Sequence, residues 1–194
     1  MFFPRVVVVA SLLFAVGACS PDASKRDPVA DAKFQNEKRI GEEDITKKQE
    51  HDAEFMVNSA VNGSLELELS KLAQQKATTP AVKDLAMRLV QQHAEMSNAL
   101  KSLADRKSIV LPTSLGKEQQ EQVQKLAGLT GTPFDKQYLD ALVEAHKDDV
   151  DSFDDMSEDA YDGDIRGFAA KYLPGLKEHL EAAKQAQDQV KDLP

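Results

Sequence analysis

Apolar residues recur at alternating intervals of four and three along two long stretches of this chain, and that rhythm admits little besides packed helices. Between Pro80 and Lys107 the positions are Val82, Ala86, Leu89, His93, Met96, Leu100 and Leu103. From Ile165 the series runs through Ala169, Tyr172, Leu176, His179, Ala183 and Ala186 to Val190. This spacing lays one stripe along a helix face, the seam of a bundle helix. A third stretch carries Leu139, Leu142, His146, Val150 and Phe153 in a similar register. Gly and Pro are sparse and fall mostly at breaks, which favours helix over sheet in the long segments between them.

Those breaks set the boundaries. Thr79 suits an N-cap with Pro80 at the first helical position, and Thr132-Pro133 repeats the signature. The pattern predicts long helices over about 48–77, 80–107, 133–161 and 164–190, with a short helical piece near 117–129. Asp162-Gly163-Asp164 is a tight turn suited to capping the last helix. Pro174 lies inside that helix and is expected to kink it. Short connections make the first two long helices antiparallel neighbours, and the last two likewise. The connection between the pairs is long enough to travel the length of the bundle. The expected fold is therefore all-α: a ferritin-like four-helix bundle over 49–191, with a long crossover carrying a short extra helix. A simple up-down bundle with a decorated loop is the competing topology.

The start of the chain carries an address. Arg5 precedes an apolar run, Val6 to Val16, that is too short for an ordinary transmembrane helix. The run ends in Val16-Gly17-Ala18-Cys19, which resembles the bacterial lipobox. Cys19 is the only cysteine in the chain, so an internal disulfide is excluded. The expectation is a signal peptide over 1–19 ending at a lipidated Cys19, with acyl chains anchoring the exported protein at about 0.8 kcal/mol per buried methylene. By resemblance to lipoprotein sorting, Ser20 rather than Asp favours the outer membrane, facing the periplasm. Residues 20–48 are polar and lack apolar periodicity, and read as a flexible tether. The net charge of -9, with no dense Lys/Arg cluster, argues against a nucleic-acid partner.

The seams contain an anomaly. His93, His146 and His179 each occupy a core-facing position on a different helix. Each lies about fourteen residues from its helix start, roughly 20 Å along the axis, so all three fall in one layer whichever way the helices run. Glu66 lies near the middle of the first long helix, on the face of Asn62, Leu69 and Ala73, and Glu68 points away. Gly63, one turn earlier, costs about 1 kcal/mol against Ala and suggests close packing. His51, near the tether, reads as solvated.

A leucine in place of each imidazole would contribute about 1.5–3 kcal/mol of burial. An unpaired buried polar group costs about 1–3 kcal/mol instead. Three in one layer need a shared partner. One candidate is a divalent metal, since imidazoles with a carboxylate suit zinc, iron, manganese or copper. The other is a hydrogen-bonded His–Glu–Tyr–Asn network, to which Tyr138 or Tyr172 can contribute. Di-iron bundles place Glu three residues before His. Here Val90, Val143 and Leu176 hold those places, so a single histidine-rich ion fits better. Met96 is one turn from His93 and suits packing more than copper ligation. Asp149, one turn beyond His146, either orients it or is solvated, and Asp135 suits the dipole of its own helix.

Several of these residues together resemble the domain of unknown function 4142 family. They are Leu65-Glu66-Leu67-Glu68-Leu69 with Lys71-Leu72-Ala73, then Gln92-His93, then Phe134-Asp135 with Tyr138 and His146, then Leu173-Pro174 with Leu176, His179 and Leu180. The resemblance spans about residues 49–190. It implies a ferritin-like helical fold and an outer-membrane or periplasmic address rather than an activity. It also implies that Glu66, His93, His146 and His179 are the characteristic polar positions. In the family the residue before the second-helix histidine is often Asp. Gln92 replaces it here, which puts any ligand or orienting role at that place in doubt.

No Gly-rich phosphate loop, nucleophile elbow or EF-hand spacing is present. The reading is an envelope lipoprotein with a binding or structural role rather than a catalytic one, for which an envelope protein partner remains open. The alternative is a metal-binding or redox protein using Glu66, His93, His146 and His179.

Overall fold

The structure is a computed structural model that describes residues 27–42 and 47–194. It contains α1 (Pro28–Glu42), α2 (Lys47–Lys76), α3 (Pro80–Lys107), α4 (Lys117–Ala127), α5 (Gly131–Asp159) and α6 (Gly163–Val190). Among the described residues all regular structure is helical. The expected signal peptide and the lipidation expected at Cys19 fall on residues outside those described. No helix among those described is long and apolar enough to cross a membrane.

The four long helices enclose the core. α2 packs on α3 and α5, and α6 packs on the same two. Side-chain pairs give the directions. Asn62, Ser70 and Thr78, ascending α2 and its end, meet Asp149, Tyr138 and Asp135, descending α5, so α2 and α5 are antiparallel. Gln92 of α3 meets His179 of α6, while Lys107 at the end of α3 meets Asp162 at the start of α6. That pair is antiparallel too. The order is up, down, down, up, which one long crossover produces and a simple up-down bundle does not. The crossover carries α4, which lies against α2 and α5.

The predicted seams are the buried faces. Every α3 seam residue is buried, and on α6 Tyr172 alone is intermediate. Two apolar clusters fill the ends of the bundle. Leu69, Leu89, Phe134, Leu139 and Leu142 anchor one, and Phe55, Met56, Leu103, Phe153 and Met156 the other. α6 continues through Pro174 without interruption.

Two expectations need correction. Residues 20–48 were expected to be a flexible tether, yet Pro28–Glu42 forms α1, which packs on α2. Its buried face is Ala32, Asn36 and Ile40, spaced four apart. Asn36 sits where an apolar residue would have revealed the stripe. Its amide donates to the Val110 carbonyl and its oxygen accepts from the Val110 N–H, clamping the start of the crossover. The second correction concerns Asp135. It is wholly buried, and its hydrogen bonds go to another segment rather than to its own helix. Its carboxylate accepts from the N–H and hydroxyl of both Thr78 and Thr79, at 2.6–3.2 Å. Thr79 is the N-cap of α3 as expected, but its side chain makes no capping bond there. Asp135 supplies the acceptor from another helix.

Candidate metal centre

Between the two apolar clusters lies a polar layer. Glu66, His93 and His146 are fully buried, and His179 is 8% exposed. The three rings are mutually close, with centroids 5.2–5.4 Å apart. One ring nitrogen from each lies within 4.8 Å of the other two. The expectation of a common depth thus matches the geometry: a rise of 1.5 Å per residue fixes each height, and the seam register turns each ring inward. Glu66 stands beside this group. Its oxygens lie 3.2 Å from His93 Nδ1 and 2.9 Å from His146 Nδ1.

Hydrogen bonds set the tautomers of two rings. His146 Nδ1–H donates to the Leu142 carbonyl at 2.9 Å, and Nε2 is the ring nitrogen left without a partner. His179 Nε2–H donates to Gln92 Oε1 at 2.6 Å, which leaves Nδ1. Neither contact of Glu66 has hydrogen-bond geometry. Both its oxygens, both nitrogens of His93, His146 Nε2 and His179 Nδ1 are buried without a hydrogen-bond partner. This concentration of unmet donors and acceptors is costly, at about 1–3 kcal/mol for each group.

The layer polarises its members. Burial would raise the Glu66 carboxyl, but the imidazoles of His146 and His93 hold it below the usual carboxylate range. Burial works against charge on His146 as well, yet the Glu66 carboxylate keeps it above an ordinary histidine. Burial lowers His93. Burial and the two neighbouring rings push His179 down to about 3. At neutral pH His93 and His179 are therefore neutral, the form that ligates metal.

The polar neighbours turn elsewhere. The Tyr138 hydroxyl shares a 2.9 Å hydrogen bond with Ser70. Asn62 donates to Asp149 at 2.8 Å. Asp149 is buried, not solvated, and burial and the nearby Glu66 charge raise its carboxyl well above the ordinary value. A Cβ at Gly63 would lie 3.7 Å from Met96 Cε and 4.0 Å from His93 Nδ1, ordinary contact, so no clash forces that glycine.

The model of the domain of unknown function DUF4142 matches residues 40–186. The chain belongs to the DUF4142 family. No curated protein matches it. A solved structure, a DUF305 fragment from Deinococcus radiodurans, superposes with a TM-score of 0.64 at 12% identity, covering 72% of this chain and 96% of the fragment. At that identity the likeness concerns the fold. In this DUF4142 chain Gln92 accepts from His179 and so orients its ring. Only its adjacency to His93 marks it in the sequence. The seam register points His93 inward and leaves Gln92 exposed at the rim, where α6 arrives. Asp149 is the other residue whose place was open, and its spacing from His146 was the available signal.

Proposed function

We propose that this chain is an exported protein, anchored by lipid on Cys19 in the outer membrane and facing the periplasm, whose bundle binds one divalent transition-metal ion. His93, His146 and His179 are the ligands, and Glu66 balances the charge and orients the rings of His93 and His146. The address rests on the lipobox-like Val16-Gly17-Ala18-Cys19 and on Ser20. The metal rests on one observation: three buried imidazoles converge while each retains a ring nitrogen with no hydrogen-bond partner. A self-contained polar network would spend those nitrogens on Tyr138 and Asn62, which bond to Ser70 and Asp149 instead. The second partners of His146 and His179 are what metal-bound histidines use to fix their tautomer. A tetrahedral ion at about 2.1 Å sets its nitrogens roughly 3.4 Å apart. The rings need to move inward by less than about an ångström. Zinc, iron, manganese and copper all accept this donor set.

The test is metal analysis and titration of the protein without a polyhistidine tag. One ion per chain is expected, and His146→Ala should weaken binding by more than about 1,000-fold, ~4 kcal/mol. A protein that stays metal-free, with a melting temperature indifferent to added zinc, copper, iron and manganese, would leave the layer a purely structural feature.

A further inference from the structure

A cavity of about 170 Å³ opens between α3 and α6 and reaches the imidazole layer. His93 and His179 form its inner end, and Gln92, Met96, Tyr172 and Gly175 its sides. Glu66 and His146 do not line it. The layer is thus sealed towards α2 and α5 and thinly covered towards α3 and α6, as the residual exposure of His179 reflects. Gly175 contributes to the opening. It follows Pro174 and has no side chain, and a Cβ placed there would meet nothing within 4 Å. The space accommodates several waters at about 30 Å³ each.

Three imidazoles satisfy three of the four positions of a tetrahedral ion. Structural sites close the fourth with a protein group, and sites that do chemistry leave it to water or an incoming ligand. Glu66 is the protein group nearest to that duty, but it lies along the Nδ1 edges of His93 and His146 and outside the close group of ring nitrogens. We infer that the α3–α6 cavity is the port of the site, through which the metal exchanges and a small exogenous ligand, water or a small anion, reaches its fourth position. This rests on the metal reading above. The port leads to His93 and His179 rather than to the sealed side that holds Glu66 and His146. Glu95 also lines the cavity, and its carboxylate favours a cation on the way in.

The test uses the full-length protein in detergent, untagged and loaded with Co(II). Azide should change the visible absorption of the bound ion. Gly175→Leu places a side chain in the port and improves helix propensity, so it should fold as well as the parent, which circular dichroism checks. It should slow both uptake of Co(II) and its release to EDTA about tenfold, leave their ratio unchanged, and suppress the azide response. Tyr172→Ala should speed both rates. Co(II) binding with no azide response and equal rates in all three proteins would overturn the port and leave the metal site standing. Failure of the parent to bind Co(II), Zn(II), Cu(II), Fe(II) or Mn(II) at all would overturn both.

Discussion

Of the carboxylates buried among the described residues, Asp135 near the α2–α3 turn and Glu66 in the middle layer have no exposure at all. Both are charged groups taken out of water, and the surroundings treat them in opposite ways. Asp135 collects five donor contacts from two threonines and completes the start of a helix on another segment. Its presence needs nothing beyond the fold. Glu66 has two imidazole nitrogens at ion-pair distance and no donor from a backbone N–H or a hydroxyl. A buried charge is retained at a loss when its partners are incomplete. The contrast teaches that burial alone does not mark a site. Burial with unmet bonding capacity does.

The sharpest way to break the comparison is Asp135→Ala, which strands four donors at the α2–α3 turn. It should cost about 3 kcal/mol in urea unfolding. A loss under about 1 kcal/mol would show that the turn is satisfied by water and that the two carboxylates differ less than their contacts suggest. Gln92→Ala acts on the other side of the contrast. It removes the acceptor that orients His179, at the rim, so the fold should hold while metal affinity falls about tenfold. An unchanged affinity would reduce Gln92 to a surface residue.

Asp162 is an intermediate case, a carboxylate that caps α6 through Asp164 N–H and Ile165 N–H and pairs with Lys107, all near water. Burial raises its carboxyl, but the Lys107 ammonium and the two N–H groups outweigh that and hold it below 3.8. A carboxyl depressed in the folded state contributes stability above its unfolded value and loses it as pH falls through the folded one. Asp162→Ala should therefore cost about 1 kcal/mol at neutral pH, and the difference should shrink as the pH falls below 3.8. A constant difference across that range would remove charge from the account. The last case is Glu66 itself. In metal-free protein Glu66→Gln gives up the pairing with His146 and His93 that holds the carboxyl low, so it should destabilise at neutral pH, but by less than Asp135→Ala because the amide keeps the shape and strands no backbone donor. A loss as large as that of Asp135→Ala would erase the distinction.

Much of this was legible beforehand. The α3 boundaries, the Asp162 cap and the inward register of His93, His146 and His179 all follow from local pattern. α1 was hidden because Asn36 occupies the centre of its buried face. The partner of Asp135 was hidden because Thr78 and Thr79 are remote in sequence, and a residue near a helix start is read by default against its own helix.

Sequence alone determined the heights and faces in this molecule. Helical rise and periodicity are local, so spacing told which residues share a layer and which look inward. Tertiary structure decided what each inward group meets. Gln92 reaching His179, Tyr138 turning to Ser70 and the cavity beside Gly175 all depend on how neighbouring helices lie side by side. That lateral placement is set by the packing of the whole core, and no single segment encodes it.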